Sequence, residues 1–199
     1  MDKLLGLIVC GGESRRMGRD KGLMLREGIP WALFMAQKLA PWRVPLYFSI
    51  NPSQQAAYSA FIPSSQLVID SPGLNEIFGP LKGLLSVHEK FPGKDLLLLG
   101  CDMLEMDEGT LRPLIDLYDA AVTGDDAPTA QSGDFFVYRQ GDFFQPLCGI
   151  YTSAGLARPH TQALEGALID FSLQSMLKKG RTVSLPIGQP GAFMNYNTL

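Results

Sequence analysis

Short apolar runs alternate with longer segments of helical periodicity through the first half of the chain. Leu4–Val9, Leu46–Ile50 and Leu67–Ile69 are short apolar runs that end at a glycine-containing or polar segment, which favours buried strands. Residues 95–99 contain four consecutive leucines before Gly100, a pattern typical of a central parallel strand covered on both faces. The spacing of these runs indicates that they share one sheet.

Helices are predicted between these strands. Residues 30–39 begin with a proline suited to the first helical position, residues 52–60 suit a short helix, and residues 80–91 place apolar side chains on one face. Strands that alternate with helices imply right-handed crossover connections. We therefore predict the α/β class, with a three-layer Rossmann-like fold, a mostly parallel sheet and helices on both faces. We expect residues 1–199 to form a single domain.

The second half of the chain has a less regular pattern. Its predicted elements, in order, are a helix at 108–118, strands at 135–138 and 146–151, helices at 159–165 and 172–179, and a strand at 182–185. Pro113 is tolerable only in the first turn of its helix, and Gly180 ends the last helix. The pattern leaves the order of these later strands open, including any antiparallel pair.

Composition narrows the class of protein. The chain has 199 residues, is 46% hydrophobic and carries a net charge of −3, which argues against general attraction to nucleic acid or anionic membranes. It has no apolar run of membrane-spanning length and no recognisable signal peptide. Three distant cysteines and two histidines argue against a disulfide framework and against a zinc or histidine-rich site. We predict a cytoplasmic protein without nucleic-acid or membrane partners.

The loop after the first predicted strand combines glycines with basic side chains. Gly11 and Gly12 are adjacent, and Gly18 follows. Glycines let the backbone turn sharply and present its N–H groups to a ligand, and fixed cations suit a polyphosphate. The cations of this segment are Arg15, Arg16, Arg19 and Lys21. A glycine turn with a solvated basic loop is the alternative, but the density of cations favours an anion site for a nucleotide.

Polar residues follow three further strands of the predicted sheet. Asn51, Asp70 and Asp102 lie directly or closely after strand ends, where ligands of open α/β sheets bind. A carboxylate at Asp102 suits a divalent ion that bridges nucleotide phosphates, although turn-forming or capping roles are common for such aspartates. The first loop matches neither the Walker A pattern nor Gly-x-Gly-x-x-Gly, and no histidine-based nucleophile motif is present.

Residues 9–21 resemble the Leu-Ala-Gly-Gly…Ser-x-Arg-Met-Gly…Asp-Lys motif of the MobA-like nucleotidyltransferase family. Further pieces in the order typical of its molybdenum cofactor guanylyltransferases are Asn51, Asp70, residues 79–83 (Gly-Pro-Leu-Lys-Gly), 101–103 (Cys-Asp-Met), 145–147 (Gln-Pro-Leu) and 193–198 (Phe-Met-Asn-Tyr-Asn-Thr). Together these pieces span nearly the whole chain. The resemblance implies a nucleotidyltransferase fold. The chain departs from the family pattern at Cys10, where the family usually has alanine, and at Leu104, where it often has proline. The absence of that proline predicts a less rigid loop after Asp102.

The resemblance implies GMP transfer from Mg-GTP to the phosphate of molybdopterin, with release of pyrophosphate and formation of the guanine dinucleotide cofactor. The implied catalytic residues are Lys21, Arg16 and Asp102, and the implied Mg²⁺ ligand is Asp102. The implied nucleotide-binding residues are Val9, Cys10, Gly11, Gly12, Lys21, Asn51, Asp70, Gly79, Pro80, Leu81, Gly83 and Asp102. Asn195 and Asn197 match positions that the family uses near the pterin. Contact with a protein that delivers molybdopterin or matures molybdoenzymes is also implied.

Three alternatives remain open at the level of sequence. A related enzyme could use CTP or a different phosphorylated acceptor, because base choice depends on few loop contacts. A sugar-1-phosphate nucleotidyltransferase is a more distant alternative, since those chains are usually longer. A non-catalytic nucleotide-binding or partner-binding module is the third, and intact Lys21 and Asp102 argue against it.

Overall fold

A computed structural model describes residues 2–11, 20–123, 133–194 and 196 of the chain. The strands are β1 (Leu4–Val9), β2 (Leu25–Arg26), β3 (Ile29–Pro30), β4 (Leu46–Ile50), β5 (Leu67–Ile69), β6 (Asp95–Gly100), β7 (Phe135–Gln140), β8 (Phe143–Tyr151) and β9 (Thr182–Pro186). The α-helices are α1 (Trp31–Leu39), α2 (Gln55–Tyr58), α3 (Pro80–Lys90), α4 (Glu108–Thr123), α5 (Ser153–Leu164) and α6 (Leu173–Lys179).

Seven strands form the main sheet in the order β5-β4-β1-β6-β8-β7-β9. β1 pairs in parallel with β4 and β6, β4 pairs in parallel with β5, and β7 pairs in parallel with β9. β8 runs antiparallel to both of its neighbours, β6 and β7. All strands of this sheet except β8 therefore point the same way, which confirms the predicted mostly parallel α/β sheet.

Alternate side chains of the central strands enter two hydrophobic cores, one on each face of the sheet. In β1, Leu4 and Ile8 pack on the face that α1 and α4 cover. Leu5 and Leu7 pack on the opposite face, against side chains of α3, α5 and α6. The leucines of β6 alternate in the same way, as the two-residue period of a strand requires. The result is the predicted three-layer arrangement.

A short hairpin lies between the first strand and the first helix. β2 and β3 pair antiparallel across Glu27 and Gly28, which have φ angles of 54° and 80°. Positive φ at both central positions is the geometry of a type I′ hairpin turn. The sequence analysis missed this hairpin because each strand has only two residues, too few to show a period. Pro30 ends β3, so α1 begins one residue later than predicted.

Prolines lie inside two helices rather than at their starts. α4 begins at Glu108 and contains Pro113 in its second turn, so the first-turn expectation is wrong. α5 begins at Ser153 and contains Pro159, which the sequence analysis placed at the helix start. Each proline removes one backbone hydrogen bond. Burial of side chains such as Leu114 and Leu156 offsets that loss, because helices in proteins are stabilised mainly by packing.

Cys10, Cys101 and Cys148 are buried and form no disulfide bond. Burial and reduced state are both typical of structural cysteines that pack as small apolar side chains. Across the described ranges, no helix has the length and apolar character that spanning a bilayer needs.

Candidate active site

An ion pair joins the segment after β1 to the segment after β6. The Lys21 ammonium lies 2.8 Å from Oδ2 of Asp102, and both side chains are largely buried, with 16% and 13% of their surfaces exposed. Lys21 begins a 3₁₀ helix at Lys21–Leu23, and Asp102 lies two residues after the end of β6. Two predicted site residues from distant parts of the sequence are therefore in contact at the carboxyl end of the sheet.

Asp20 holds the backbone at Lys21 in place through hydrogen bonds of its side chain. Its Oδ1 accepts hydrogen bonds from the Gly22 N–H at 3.0 Å and from the Tyr58 hydroxyl at 2.9 Å. Its Oδ2 accepts a bond from Nε2 of Gln54 at 2.6 Å. The hydroxyl of Tyr58 stays protonated because burial raises its pKa far above the ordinary value. This bracing limits the freedom of Lys21 before any ligand arrives.

Asn51 acts through the turn that follows β4. Its Oδ1 accepts bonds from the Gln54 N–H and the Ser53 hydroxyl, and Oε1 of Gln54 accepts a bond from the Asn51 N–H. This reciprocal pair is a capping box for the 3₁₀ helix Pro52–Gln54. Nε2 of Gln54 also donates to the Cys10 carbonyl at 3.1 Å. Asn51 and Gln54 thereby tie the ends of β1 and β4 together.

Two buried polar oxygens face the first turn of α3. Oγ of Ser49 and Oδ1 of Asp70 are both enclosed and have no hydrogen-bond partner among the described residues. A Cβ on Gly83 would overlap Oγ of Ser49 and would lie 3.8 Å from Oδ1 of Asp70. A Cβ on Gly11 would also lie 3.8 Å from that Asp70 oxygen. Both glycines therefore lie beside the Asp70 carboxylate.

The Asp70 carboxylate titrates in an unusual range. Burial raises its pKa to about 6, and the positive charge of Lys82 opposes part of that rise. Unpartnered buried carboxylate oxygens are costly, and perturbed carboxylates cluster at functional sites. Asp70 thus has a buried carboxylate oxygen that is available as a hydrogen-bond acceptor.

The Gly-Pro-Leu-Lys-Gly segment forms the start of α3. Gly79 has a φ of 67°, a conformation that favours glycine, and Pro80 occupies the first helical position. The side chain of Leu81 is buried in the core beneath α3. Gly79 and Gly83 thus shape the backbone near Asp70, whereas the Leu81 side chain serves packing.

The start of the glycine loop continues the parallel strands. Val9 and Cys10 are buried, and the N–H groups of Cys10 and Gly11 donate to the Ser49 carbonyl at 2.9 and 3.0 Å. Burial raises the pKa of the Cys10 thiol well above its ordinary value, so it is a neutral packing group. The predicted site residues Gly12, Arg16, Asn195 and Asn197, with Arg15 and Arg19, lie outside the described residues.

Buried side chains anchor the loop that carries Asp102. Met103, Leu104 and Met106 are at most 3% exposed and belong to the core on the α4 face. A Cβ on Gly100 would lie 3.2 Å from Oδ1 of Asp102 and 3.3 Å from Cβ of Leu147. Leu104 therefore anchors the loop by packing, where the sequence analysis expected a less rigid loop without proline.

A β-bulge between β7 and β8 lies beside the Asp102 loop. The pairing shifts from Val137 with Gly149 to Tyr138 with Gln145, which places Pro146 and Leu147 in the irregular segment. Bulges often redirect side chains next to functional sites. The Gln-Pro-Leu piece of the sequence thus owes its position to this bulge.

Sequence analysis missed several residues that shape the site. These are Ser49, Gln54 and Tyr58 around the glycine loop, and Arg26 and Glu105, which form an ion pair of 2.8 Å beyond the Lys21–Asp102 pair. The spacing of Asn51 and Gln54 is a recognisable capping-box signature and could have identified Gln54. The others have no local signature, because their contacts join distant parts of the chain.

The carboxylates of the site suit a metal shared with a substrate. No group of three or more His, Cys, Asp or Glu side chains in the described ranges could hold a metal ion by itself. Mg²⁺ is commonly bound through one or two carboxylates, with phosphates and water supplying the remaining ligands. Asp102, just past the end of β6 and beside Lys21, fits that pattern.

The mostly parallel sheet, with its lysine–aspartate pair and glycine-bordered carboxylate at the carboxyl edge, defines the class of α/β nucleotidyltransferase domains. Sequence comparison gives the family. The chain belongs to the MobA-like NTP transferase domain family, whose profile matches residues 6–183. It is therefore a nucleotidyltransferase.

Two curated relatives illustrate the range of sequence similarity. A molybdenum cofactor guanylyltransferase of Pseudomonas putida is 32% identical over 145 residues, which cover 72% of this chain and 68% of that protein. A molybdenum cofactor biosynthesis bifunctional protein of Synechocystis sp. is 30% identical over 156 residues, or 77% of this chain. The match spans only 40% of that bifunctional protein.

A solved structure supports the fold assignment. Molybdopterin-guanine dinucleotide biosynthesis protein A from Archaeoglobus fulgidus aligns with a TM-score of 0.72 at 18% identity. The alignment covers 97% of this chain and 92% of that one. At this identity the likeness speaks for the fold, and it confirms the Rossmann-like nucleotidyltransferase architecture.

Proposed function

We propose that this chain transfers GMP from Mg-GTP to molybdopterin, releasing pyrophosphate and forming the guanine dinucleotide cofactor. The observation that carries the proposal is the contact of 2.8 Å between Lys21 and Asp102 at the carboxyl edge of the sheet. The names of the relatives supply the acceptor and the base. In this proposal residues 1–199 act as one nucleotidyltransferase domain.

The Lys21–Asp102 pair supplies the charge pattern that the reaction needs. An ammonium group has three donors, so Lys21 can keep its bond to Asp102 and still donate to a phosphate oxygen. Mg²⁺ held by Asp102 would neutralise charge on the triphosphate as a Lewis acid. Substitution at phosphorus depends mainly on positioning and electrostatic stabilisation, so an ionised phosphate acceptor needs no protein base.

Asp70 and the glycines around it suit the nucleoside end of the substrate. The enclosed Asp70 oxygen has no hydrogen-bond partner among the described residues, so it can accept a bond from a hydroxyl or an N–H group of a ligand. Gly11 and Gly83 both adjoin that oxygen, since a Cβ on either residue would lie 3.8 Å from it. We assign Asn51 a supporting role, because its Oδ1 caps the helix after β4.

The proposal includes a location and protein partners. Buried, unbridged cysteines are typical of reducing compartments, which supports a cytoplasmic enzyme. A molybdopterin carrier and a molybdoenzyme-maturation protein are the expected transient partners, since substrate and product are cofactor intermediates.

Calorimetry and a pyrophosphate assay test the proposal together. GTP should bind in the presence of Mg²⁺ more tightly than CTP, ATP or UTP, and pyrophosphate should appear only when molybdopterin is added. Asp102→Asn and Lys21→Ala should each lower turnover by about 10²–10³-fold, the usual effect of losing one charge-stabilising group.

Matched controls come from charges on helices that do not contribute to the site. Lys178→Ala on α6 and Asp116→Asn on α4 remove the same charges elsewhere and should leave turnover near that of the wild type. A preference for CTP would contradict guanylyl transfer. Full turnover in both site variants would contradict the assigned site.

A further inference from the structure

Two cysteines lie side by side where β1 and β6 end. These strands pair in parallel with Val9 opposite Gly100, so the next residues, Cys10 and Cys101, occupy matching positions. The Cys101 N–H donates to the Val9 carbonyl at 3.3 Å, which continues the pairing to this point. Matching residues of neighbouring strands are about 4.8 Å apart, within the roughly 4.4–6.8 Å between Cα atoms that a disulfide spans. The backbone therefore allows a bridge between the two cysteines.

The side chains of these two cysteines also meet. Both are buried in the core on the face of the sheet that α1 and α4 cover. Burial raises the pKa of the Cys10 thiol well above its ordinary value, and the interaction with the Cys101 side chain is the next contribution. Cys10 and Cys101 thus form a pair of neighbouring thiols, both in the reduced state.

The Cys101 side of the thiol pair is coupled to Asp102. Asp102 directly follows Cys101, and the next residue, Met103, is buried in the same core. Asp102 therefore lies between two buried side chains, so a displacement of Cys101 must be taken up at Asp102. Misplacing a reacting group by about 1 Å can lower a rate by about 10²-fold.

The Cys10 side of the thiol pair is coupled to Lys21 through Gln54. Nε2 of Gln54 donates to the Cys10 carbonyl at 3.1 Å and to Oδ2 of Asp20 at 2.6 Å. Asp20 in turn caps the 3₁₀ helix that begins at Lys21. Each cysteine is therefore connected to one partner of the ion pair at the candidate active site.

We propose that Cys10 and Cys101 are a redox-sensitive modification site, at which hydrogen peroxide forms a disulfide that lowers turnover at the Lys21–Asp102 pair. One cysteine, as its thiolate, attacks the peroxide, so that an S–O bond forms, the O–O bond breaks and water leaves. The second thiol then displaces the hydroxyl group from that sulfur as water, which forms the S–S bond. Overall, two thiols give up two protons and two electrons, and one peroxide becomes two waters. The loss of turnover rests on the proposed function, whereas the bond itself does not.

Burial determines the speed of this oxidation and favours its product. The thiolate is the reactive form of a cysteine, and the raised pKa of Cys10 keeps that form scarce, so the reaction should be slow. A disulfide is neutral, which suits the apolar surroundings of Cys10 and Cys101 better than a thiolate or sulfinate anion does. The site therefore responds to sustained oxidation rather than to a brief exposure.

Peptide mapping tests the bond without any nucleotide. The reduced protein is treated with hydrogen peroxide, its free thiols are alkylated under denaturing conditions, and its tryptic peptides are analysed by mass spectrometry. The peptide of Cys10 should be found joined to that of Cys101, while Cys148 should be alkylated. The absence of the joined peptide after prolonged treatment of the folded protein would overturn the proposal, and so would disulfides that form only between chains.

Turnover measurements connect the bond to the candidate active site. In the wild type, turnover should fall in proportion to the disulfide formed, by about 10²-fold at completion, and dithiothreitol should restore it. Cys10→Ala, which introduces the usual residue of the family pattern, and Cys101→Ala should each keep the turnover of their own untreated samples. Cys148→Ala is the matched control: Sγ of this third buried cysteine lies 4.0 Å from Sδ of Met106, and its loss should leave the response to peroxide unchanged.

The results separate this proposal from the proposed function. Equal loss of turnover in the wild type and in Cys101→Ala would overturn the proposal, because the oxidised group would then lie elsewhere. Full turnover after the disulfide has formed would overturn it as well. Failure of the reduced wild type to bind and turn over Mg-GTP would instead contradict the proposed function, and the peptide map would still decide whether the bond forms.

Discussion

Asp70 shows how one residue can be unfavourable for folding and still suited to a site. Its carboxylate has an enclosed oxygen without a partner among the described residues, and burial raises its pKa to about 6. An unfolded aspartate titrates near 3.9, so the folded chain binds more protons between about pH 4 and pH 6. The Asp70 contribution to stability therefore falls as pH rises through that window and stays unfavourable above it.

Asp70→Asn should consequently stabilise the protein at neutral pH. We expect the free energy of unfolding to rise by about 1–2 kcal/mol at pH 7.5. This is less than the free energy equivalent to the whole pKa difference, because solvent screens this half-buried group. The gain should vanish near pH 4, where Asp70 is protonated in both states. Urea unfolding at the two pH values measures this difference. Asp142→Asn, whose side chain is 93% exposed, is the control and should change stability at neither pH. A destabilised Asp70→Asn at pH 7.5 would contradict the interpretation.

Ser49 and Gly83 give a second prediction about single residues. A Cβ on Gly83 would overlap the Ser49 hydroxyl and lie 3.2 Å from Ser49 Cβ. Gly83→Ala should therefore cost about 1–3 kcal/mol through overpacking. Ser49→Ala removes a buried hydroxyl without a described partner, so it should be nearly neutral by itself and should restore part of the loss in the double variant.

Chemical denaturation of the two single variants and the double variant checks the prediction for Gly83. Gly93→Ala is the matched control, because a Cβ there would meet nothing within 4 Å, and it should stay within about 0.5 kcal/mol of the wild type. Equal loss in Gly83→Ala and in the double variant would show that the Ser49 hydroxyl is not the obstacle.

At the scale of elements, sequence patterns predicted strand and helix bounds best where the local sequence alone determines which residues are buried. The bounds of β1, β4 and β5 agree with prediction, because each is a short, mostly apolar run that ends at a polar or glycine-containing segment. The predicted start of α5 is wrong, because Pro159 signals a helix start although packing extends the helix back to Ser153. The reversed direction of β8 could not be predicted, since hydrophobic pattern does not encode direction.

The same distinction applies to the candidate site. Asp102 and Lys21 were predictable because strand ends of an α/β sheet converge, and the structure places them 2.8 Å apart. Glu105 and Tyr196 are 91 residues apart in sequence, and neither carries a local signal for the bond between them. A long-range side-chain pair of this kind can be recognised only in the folded structure.

At the scale of the whole molecule, aspartates near the two ends of β6 have different roles, one at the candidate site and one in stability. Asp102, just past the carboxyl end, faces Lys21 at the candidate site. Asp95, at the amino end, is fully buried and accepts bonds from the Tyr118 hydroxyl and the Ser153 N–H, each at 2.7 Å. Lys3 adds an ammonium group 3.3 Å from Oδ1 of Asp95. Asp95 thereby links α4 on one face of the sheet to the start of α5 on the other.

Asp95→Ala should therefore reduce stability without altering the site. Removing the shared acceptor leaves a buried hydroxyl and a partly buried N–H unpaired, at a cost of about 3 kcal/mol, or a Tm lower by roughly 6–10 °C. Asp95→Asn should cost less, because its carbonyl still accepts one of those bonds.

Below the Tm of Asp95→Ala, the folded protein should bind Mg-GTP as the wild type does. Asp102→Asn should instead lower turnover by about 10²–10³-fold and should lower Tm less than Asp95→Ala does, because asparagine keeps a carbonyl acceptor for Lys21. Calorimetric unfolding and nucleotide titration of both variants measure the contrast. Weak nucleotide binding by folded Asp95→Ala would mean that the amino and carboxyl ends of the sheet are coupled, because the altered side chain lies at the end opposite the site.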